Sequence, residues 1–419
     1  MHVLIIPSEE FVPQESHLAG IFQKHQALAL KKTGCKVGVL SVRQSLSIPM
    51  LIKEIFLRIS GKRVNPKLKQ RKWGELVTLL FNKSFSIQQF ITKENIEGLD
   101  VFRIDGFYFV PPGKHSNHFG WLIAGMKLWE NYCTVNGTPD VIHAHNAVYA
   151  GMLANRISKK KKIPYIITEH SSFVARNLES WFIRNKIKEA YKQSSDFFVV
   201  SDFLGKKINE VFQTTFNWKV LSNVLDSEIE EASIPLTNIP NSPFIFISIG
   251  SLISLKRHKD LIDAFNLQFS GDEDVQLTIA GDGELKKDLQ DQIKRLGLGK
   301  QIRLLGRLNR KEVLQLIDNS HCLVLCSEIE TFGVVLIEAL SRGKPIIATR
   351  CGGPESIVNI DNGLLCAVRD VDALSIAMAQ MKETYETYNL QQIRHSALAI
   401  YGSAPYGKLL QHKYEDVIS

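Results

Sequence analysis

The sequence predicts an α/β protein built from two doubly wound, Rossmann-like domains. Three observations carry this prediction: the chain length, the alternation of strand-like with helix-like segments, and a break near the middle of the chain. At 419 residues the chain is too long for one ordinary domain and suits two domains of about 200 residues each. Strands that alternate with helices predict a parallel sheet with helices on both faces.

The first half alternates short apolar runs with longer segments of helical periodicity. Its predicted strands are residues 3–6, 36–42, 101–104, 141–145, 165–168 and 197–200. Its predicted helices are residues 17–32, 120–132, 149–160 and 181–192. The first helix ends with two lysines followed by Gly34, which is typical of a helix C-terminus.

A polar stretch with three prolines and no sustained periodicity, residues 227–243, predicts the interdomain linker. The alternation then restarts. The predicted strands are 244–249, 276–280, 302–304, 322–326 and 345–348, and the predicted helices are 259–268, 284–296, 310–319, 334–341 and further ones from about 371. We therefore place an N-terminal domain at 1–230 and a C-terminal domain at 242–403, with a ligand cleft expected between the carboxyl ends of their sheets.

Composition predicts a soluble globular protein, with 44% hydrophobic and 22% charged residues. No apolar run approaches the ~20 residues that cross a bilayer, and residues 1–7 indicate a first strand, not a signal peptide. The six cysteines form no Cys-x-x-Cys pair and predict buried thiols in a reducing compartment. We expect a cytoplasmic protein that can lie peripherally on the inner face of the cytoplasmic membrane.

The net charge of +8 is unevenly distributed. Residues 50–93 carry ten lysines or arginines against two glutamates, and aromatic and apolar residues lie between them. Such a segment favours contact with an anionic membrane surface. Two alternatives are an amphipathic helical hairpin whose apolar side is core, and a nucleic-acid contact, which we regard as the weakest of the three.

The most informative motif lies where a predicted strand is followed by a predicted helix. It comprises residues 330–338, Glu-Thr-Phe-Gly-Val-Val-Leu-Ile-Glu, and residues 351–355, Cys-Gly-Gly-Pro-Glu. A helix amino terminus offers unpaired N–H groups and a partial positive charge, which suit phosphate. Glu338 lies eight residues beyond Glu330, about 12 Å along a helix at ~1.5 Å per residue. This spacing suits the two ends of one long ligand and not a retaining glycosidase pair, whose carboxyls lie roughly 5 Å apart.

Together with residues 250–256, Gly-Ser-Leu-Ile-Ser-Leu-Lys, the motif resembles the donor site of the family 4 retaining glycosyltransferases. The resemblance covers nearly the whole chain and is densest from about 245 to 366. It implies the GT-B fold, two Rossmann-like domains facing across a cleft, with a last helix, 404–419, that packs back on the first domain. It also implies transfer, with retention, from a nucleoside diphosphate sugar to a hydroxyl of a glycan or lipid-linked saccharide acceptor.

The resemblance assigns roles to particular residues. Lys256 stabilises the departing diphosphate, Glu338 accepts hydrogen bonds from the ribose hydroxyls, and Glu330 accepts them from the sugar. The family's arginine position is Ser251 here, and Arg257 is the candidate substitute. The predicted donor-binding residues are Gly20, Ser251, Arg257, Gly281, Gly283, Arg307, Thr331, Phe332, Gly333, Val334 and Glu338.

Polar residues also end two strands of the first half, in residues 140–145 and 165–172. His143-x-His145 could indicate a metal, but no further ligand cluster at suitable spacing supports zinc. The resemblance instead assigns His170 to the donor sugar and leaves His145 and Glu169 as cleft or acceptor contacts. The predicted catalytic residues are His170, Glu330 and Lys256.

We expect no cofactor and metal-independent catalysis, because no Asp-x-Asp pair lies among these motifs and no dinucleotide or ATP loop is present. The sequence does not decide the nucleotide base of the donor, although UDP is favoured over GDP. Similarity around residues 19–34 to polysaccharide-assembly members of the family favours synthesis of a bacterial cell-surface polysaccharide. Two alternatives are a GT-B nucleotide-sugar epimerase and a catalytically inactive protein that binds a nucleotide sugar or a glycan.

Overall fold

The computed structural model describes residues 1–12, 21–44, 55–60, 91–106, 116–170, 181–232 and 243–419. The chain divides into two compact units. The first unit comprises Met1–Phe198, Ile208–Lys219 and Gly407–Ser419, and the second comprises Val199–Lys207 and Val220–Tyr406.

The amino-terminal part of the chain forms an eight-stranded sheet and its helices. The strands are β1 (His2–Pro7), β2 (Lys36–Gln44), β3 (Ile91–Ile96), β4 (Leu99–Gly106), β5 (Val141–His145), β6 (Tyr165–Glu169), β7 (Asp196–Val199) and β8 (Lys219–Val220). The helices are α1 (Ile21–Lys32), α2 (Ser116–Asn136), α3 (Met152–Lys161), α4 (Trp181–Gln193) and α5 (Asp202–Phe212). An irregular turn, Ala147–Gly151, precedes α3, and the backbone angles of its Val148 and Tyr149 are not helical.

The strand order in this sheet is β3-β4-β2-β1-β5-β6-β7-β8. Val3 of β1 is in register with Val37 of β2 on one side and with Val141 of β5 on the other, and both pairs are parallel. Strand β1 is buried from Val3 onward, and β5 and β6 are buried along their whole length, as near-continuous apolar strands in a parallel sheet should be. The strand order reverses between β1 and β5, and open α/β sheets bind ligands beyond the carboxyl ends of the strands at this point.

The second unit contains a second sheet. Its strands are β9 (Phe244–Ile249), β10 (Val275–Ala280), β11 (Ile302–Gly306), β12 (Cys322–Leu325), β13 (Ile346–Thr349) and β14 (Gly363–Cys366). The helices that follow α5 are α6 (Ser227–Glu231), α7 (His258–Phe269), α8 (Lys286–Arg295), α9 (Arg310–Asp318), α10 (Val334–Ser341), α11 (Val371–Thr384), α12 (Leu390–Tyr401) and α13 (Ser403–Ile418). Helix α13 belongs to the first unit from Gly407 onward.

The second sheet has the order β11-β10-β9-β12-β13-β14, and its pairs are parallel. This is the doubly wound order in which the first strand of the unit lies in the middle. Phe246 and Phe265 are fully buried in the core beside the sheet, with Leu277 and Val324. The strand order reverses between β9 and β12, so the loops that follow these two strands flank the expected ligand position.

The structure differs from the sequence prediction in several local features, and helix α5 and strands β8 and β14 are among the elements that were not predicted. Strand β3 was not predicted, and it pairs antiparallel with β4 at the sheet edge, with Ile91 opposite Ile104. The segment predicted as an irregular linker begins with the short helix α6, whose N-terminus is capped by Asp226. The remainder of that segment, residues 233–242, lies outside the described residues. Within the described part of the chain, no helix is both long enough and apolar enough to span a bilayer.

Candidate active site

Lys256 and Glu330 form an ion pair at the reversal point of the second sheet. Lys256 ends a 3₁₀ turn, Ser254–Lys256, in the loop after β9, and Glu330 lies in the loop after β12. The two loops are joined by backbone, since the N–H of Glu328 donates to the carbonyl of Leu255 at 2.8 Å. The two side chains are partly exposed, so the pair lies where a ligand can reach it.

The Gly-Gly-Pro-Glu segment holds the Glu330 backbone. The N–H of Glu330 donates to the carbonyl of Cys351 at 3.0 Å, and the N–H of Gly353 donates to the carbonyl of Glu330 at 2.8 Å. A Cβ added at Gly353 would lie 2.4 Å from the Cα of Phe332, so only glycine allows this approach. Gly352 adopts a φ of +116°, which also favours glycine. The downstream motif therefore fixes the loop that carries Glu330.

Helix α10 begins immediately after this loop. Its N-cap is Gly333, in a left-handed conformation with a φ of 100°, and among the described residues no side chain caps it. Phe332 is buried, and the carbonyl of Thr331 accepts a hydrogen bond from the hydroxyl of Ser201 at 2.6 Å. The amino terminus of the helix, which begins at Val334, therefore presents backbone N–H groups and the positive end of its dipole close to Glu330.

Glu338 lies in the second turn of α10 and contacts an arginine that the sequence analysis did not identify. Its Oε1 accepts a hydrogen bond from Nη2 of Arg310 at 2.8 Å, and Nε of Arg310 donates to Oδ2 of Asp226 at 2.5 Å. Glu338 and Asp226 are buried. Burial alone would lower the pKa of the Arg310 guanidinium, but the carboxylates of Glu338 and Asp226 offset it and raise that pKa.

Arg310 is the first residue of α9, which begins with a capping box between Asn309 and Glu312. This capping box was the sequence signal that could have placed Arg310 at the amino end of a helix. The two acidic partners of Arg310, Glu338 and Asp226, are distant from it in sequence, so no spacing rule predicts these contacts.

The glycine turns after β9 and β10 pack backbone against backbone. A Cβ at Gly281 would lie 1.8 Å from the carbonyl oxygen of Gly250, and one at Gly283 would lie 2.4 Å from that of Leu252. The N–H of Leu252 donates to the carbonyl of Asp282 at 3.0 Å. These two predicted donor-binding glycines thus shape the loop that leads to Lys256.

Three further donor-site candidates of the second unit, two arginines and a serine, have different surroundings. Arg257 has a φ of 54° and forms an ion pair with Asp260 in the first turn of α7, at 2.7 Å. Arg307 is exposed just beyond β11, and Ser251 is exposed at the start of the loop after β9. The structure therefore brings Lys256 and Glu330 into direct contact, whereas the guanidinium of Arg257 is held by a carboxylate on its own helix.

A row of histidines lies at the reversal point of the first sheet. Nδ1 of His143 lies 2.7 Å from the hydroxyl of Tyr414, and Nε2 lies 2.8 Å from the hydroxyl of Thr168. The rings of His143 and His145 stack at 4.3 Å, and Nδ1 of His145 shares a hydrogen bond with Nε2 of His170 at 2.9 Å. Burial lowers the pKa of His143 to about 3 and holds the pKa of His145 well below its usual value, so both rings are neutral near pH 7.

The histidine row is held by polar partners on either side. The N–H of His170 donates to Oδ1 of Asn146 at 2.9 Å, and Asn146 adopts a φ of 69° with a ψ of 142°, outside the left-handed helical region. The fully buried Glu169 accepts hydrogen bonds from the N–H of Ala147 at 2.9 Å and from the hydroxyl of Tyr191 at 2.8 Å. Asn146 is a second residue that the sequence analysis missed.

Acidic pairs in the second unit serve local structure. Asp272 and Asp370 each begin an Asp-x-Asp sequence outside the predicted site motifs. Asp272 accepts hydrogen bonds from Lys382 and from the N–H of Asp274, both at 3.0 Å, and Asp370 caps α11. Among the described residues, no group of three histidine, cysteine or acidic side chains is placed to hold a metal ion.

Sequence comparisons identify the family of this chain. The family described as glycosyl transferases group 1 matches residues 230–393, and Glycosyltransferase Family 4 matches residues 75–228. An uncharacterized glycosyltransferase of Methanocaldococcus jannaschii is 30% identical over 271 residues, 61% of this chain and 69% of that protein. The chain belongs to glycosyltransferase family 4. It is therefore a glycosyltransferase.

Two further proteins are similar to this chain over nearly its whole length. The putative teichuronic acid biosynthesis glycosyltransferase TuaC of Bacillus subtilis is 23% identical over 415 residues, 95% of this chain and 94% of TuaC. The crystal structure of HepE from Anabaena in complex with UDP has a TM-score of 0.66 and 16% identity, covering 99% of this chain and 100% of that one. The predicted two-domain α/β architecture of the GT-B fold is thereby confirmed.

In this glycosyltransferase, the predicted donor-site residues of the second unit lie in the loops after β9, β10, β11 and β12 and in α10. The predicted residues of the first unit that the structure describes, His145, Glu169 and His170, lie at the ends of β5 and β6. Gly20 lies outside the described residues. The functional assignment of each residue stays a prediction.

Proposed function

We propose that this glycosyltransferase moves a sugar from a nucleoside diphosphate sugar, with retention and without a metal ion, to a hydroxyl of a glycan or lipid-linked saccharide acceptor. The proposed context is the synthesis of a cell-surface polysaccharide. The similarity to TuaC, a putative enzyme of teichuronic acid biosynthesis, supports that context. The HepE complex with UDP supports a nucleoside diphosphate as the leaving group.

One observation carries the proposal: the ion pair of Lys256 with Glu330 directly precedes the amino terminus of α10, at the reversal point of the sheet. The helix terminus suits a diphosphate, and the ammonium of Lys256 can neutralise the charge that develops on it. Because Glu330 holds this ammonium, a donor that enters exchanges one anionic partner of Lys256 for another. Glu330 is then available to accept hydrogen bonds from sugar hydroxyls.

The reaction needs no further reactant. The bond between the anomeric carbon and the diphosphate oxygen breaks, and the acceptor oxygen bonds to the same face of that carbon. The donor's own phosphate takes the acceptor proton, so the nucleoside diphosphate departs with it. Lys256 and the N–H groups at Val334 stabilise the departing group, while Glu338, held by Arg310, accepts hydrogen bonds from the ribose.

We also propose that the enzyme lies peripherally on the cytoplasmic side of the membrane, through residues 50–93. Most of that segment lies outside the described residues. In the described stretch 55–60, Phe56 and Ile59 are exposed beside Arg58, which supports contact with an anionic surface.

The experiment that tests the donor proposal is a thermal-shift screen of UDP-, GDP- and ADP-sugars, followed by transfer assays with a panel of glycan acceptors. We expect one donor class to raise the Tm and to give a product whose anomeric configuration, read by NMR, equals that of the donor. Activity should survive EDTA. An inverted product would overturn retention, and loss of activity that Mg²⁺ restores would overturn metal independence.

Two outcomes would favour other functions. Conversion of the donor to an isomer without acceptor would indicate an epimerase. Donor binding by calorimetry, with neither transfer nor slow donor hydrolysis over a broad acceptor panel, would indicate a binding protein.

A further inference from the structure

A groove of about 300 Å³ lies between helices α2, α3 and α4 of the first unit, apart from the histidine row. Apolar side chains from all three helices line it, among them Leu122, Met152 and Ile183. The rings of Phe119 and Phe182 also line it and lie 6.0 Å apart. Both of these rings are exposed, which is unusual for large apolar side chains gathered in one place.

Cations surround this apolar surface. Residues 152–162, which comprise α3 and the following lysine, contain five lysines or arginines and no acid. Helix α4 contains four more against a single carboxylate, Glu189. Of these charged residues, Arg156, Lys159, Lys186 and Glu189 line the groove itself. The groove therefore combines a hydrocarbon-like interior with a net positive rim.

Trp181, the first residue of α4, is 77% exposed next to Phe182. Tryptophan prefers the boundary between water and lipid, where its ring is apolar and its N–H stays hydrated. Lysines beside such rings place their alkyl chains on apolar surface and their ammonium groups at headgroup level. Nζ of Lys186 lies 5.9 Å from the ring of Phe182, in agreement with this arrangement.

We propose that this groove docks the enzyme on an anionic lipid bilayer, with one hydrocarbon chain in the groove and the lipid phosphate between Arg156, Lys159 and Lys186. Charge complementarity argues for this occupant, since α3 and α4 together contain eight lysines or arginines and one carboxylate, and three of these cations line the groove. The residues of this surface are not among residues 50–93 and are not among the predicted donor-binding residues. The inference therefore goes beyond the proposed transfer reaction and does not depend on it.

Glu189 binds two of the cations that line the groove. Its carboxylate accepts hydrogen bonds from Lys159 and, at 3.3 Å, from Lys186, so one acid engages two of the groove's cations. Removing the charge of Glu189 while keeping its shape frees both ammonium groups for phosphate. Docking through this groove therefore predicts that Glu189→Gln binds anionic vesicles more tightly than the wild type. A variant that merely loses structure would not show this gain.

The test is vesicle binding by the full chain, followed by sedimentation and by tryptophan emission. Vesicles of phosphatidylcholine containing phosphatidylglycerol should bind the protein and shift its emission to the blue, and vesicles of phosphatidylcholine alone should not. The blue shift should be absent in Trp181→Phe. Inorganic phosphate at the same total concentration should leave the emission unchanged, which separates a lipid site from a free-anion site.

Three variants decide between this surface and others. Lys186→Gln should weaken vesicle binding about fivefold and Phe182→Ser by at least as much, since each basic residue near an anionic surface contributes about one such factor. Glu189→Gln should strengthen binding about fivefold. The matched controls Lys287→Gln and Ile376→Ser, at exposed sites of the second unit, should change nothing.

Unchanged binding in all three groove variants would overturn the proposal and leave residues 50–93 as the membrane contact. Equal binding to neutral vesicles would also overturn it. Transfer to a soluble acceptor, measured without lipid, should be the same in every variant. Failure of docking is thereby distinguishable from failure of the proposed reaction.

Discussion

Nη2 of Arg310 donates a hydrogen bond to Oε1 of Glu338 at 2.8 Å. The same guanidinium binds the buried carboxylate of Asp226, so one cation joins the amino end of α9, the second turn of α10 and the residue that caps α6. Glu338 is thereby held in one orientation before any ligand binds. Preorganisation of this kind lowers the cost of binding, because the carboxylate need not be ordered by the donor.

We expect Arg310→Gln to raise the KM for the donor about tenfold while kcat stays within about twofold. A hydrogen bond to a charged group contributes about 1.5–3 kcal/mol, and the loss falls on binding because Glu338 lies far from the departing bond. The free energy of unfolding should fall by about 1–3 kcal/mol, because two buried carboxylates lose a partner. Arg295→Gln, at an exposed arginine in the last turn of α8 outside the predicted site, is the control and should be neutral. A fall in kcat at unchanged KM would show that Arg310 acts elsewhere.

Glu338→Ala should weaken donor binding more than Arg310→Gln does, because it removes the predicted ribose acceptor itself. Calorimetry with the donor and with the free nucleoside diphosphate measures this. Both ligands should lose affinity by a similar factor, since both contain the ribose. A loss confined to the intact sugar donor would place Glu338 at the sugar end and contradict the assignment.

Lys256→Ala should act on the rate. We expect kcat to fall about 10²–10³-fold with a smaller change in donor affinity, as happens when one group that stabilises transition-state charge is removed. Lys259→Ala is the matched control, because Lys259 is an exposed lysine three residues away at the start of α7. The ratio of the two kcat values is the measurement. Equal and negligible effects would remove Lys256 from the proposed site.

The sequence predicted the repeating elements of the second unit closely. Residues 334–341 were predicted as a helix and form α10 with the same limits, because a strand of buried apolar residues and an apolar helical face leave little choice of structure. Strand β3, ITKENI, was missed, since four of its six residues are polar and its place is decided by pairing with β4 at the sheet edge.

The candidate site was predictable where backbone geometry demands particular residues. Gly353 belongs to a motif because no Cβ fits there, and Lys256 follows a buried strand at a fixed distance. Arg310 could not be predicted as a partner of Glu338, because no local rule relates residues separated by 28 positions. Likewise, the contact between His143 and Tyr414 spans 271 positions and depends on the last helix.

Gly353→Ala should lower the free energy of unfolding by about 2 kcal/mol or more and also impair donor binding. The added Cβ would lie 2.4 Å from the Cα of Phe332, a backbone atom that cannot move aside cheaply, and this loop carries Glu330. Urea unfolding and calorimetry with the donor measure the two effects. Gly299→Ala is the matched control, because a Cβ there meets nothing within 4 Å. Equal stability of the two variants would contradict the close approach.

Acid should destabilise this enzyme from about pH 6.5 downward, before most carboxylates titrate. Burial lowers the pKa of His143 to about 3, whereas an unfolded histidine titrates near 6.5. Between pH 6.5 and pH 3, His143 binds a proton in the unfolded chain but not in the folded chain. The free energy of unfolding therefore falls as the pH falls. Each such proton contributes a slope of about 1.4 kcal/mol per pH unit. His145, whose pKa is also lowered by burial, adds to the slope.

The measurement is urea unfolding at several pH values between 6.5 and 4.5 for the wild type and for His143→Gln. The variant should be less stable at pH 7, because Tyr414 and Thr168 lose a shared partner, yet its stability should depend on pH less steeply, by about one proton. His395→Gln, at an exposed position of α12, should keep the wild-type slope. If His143→Gln keeps the full slope as well, then His143 binds a proton in the folded state between pH 6.5 and 4.5, which contradicts a pKa lowered by burial.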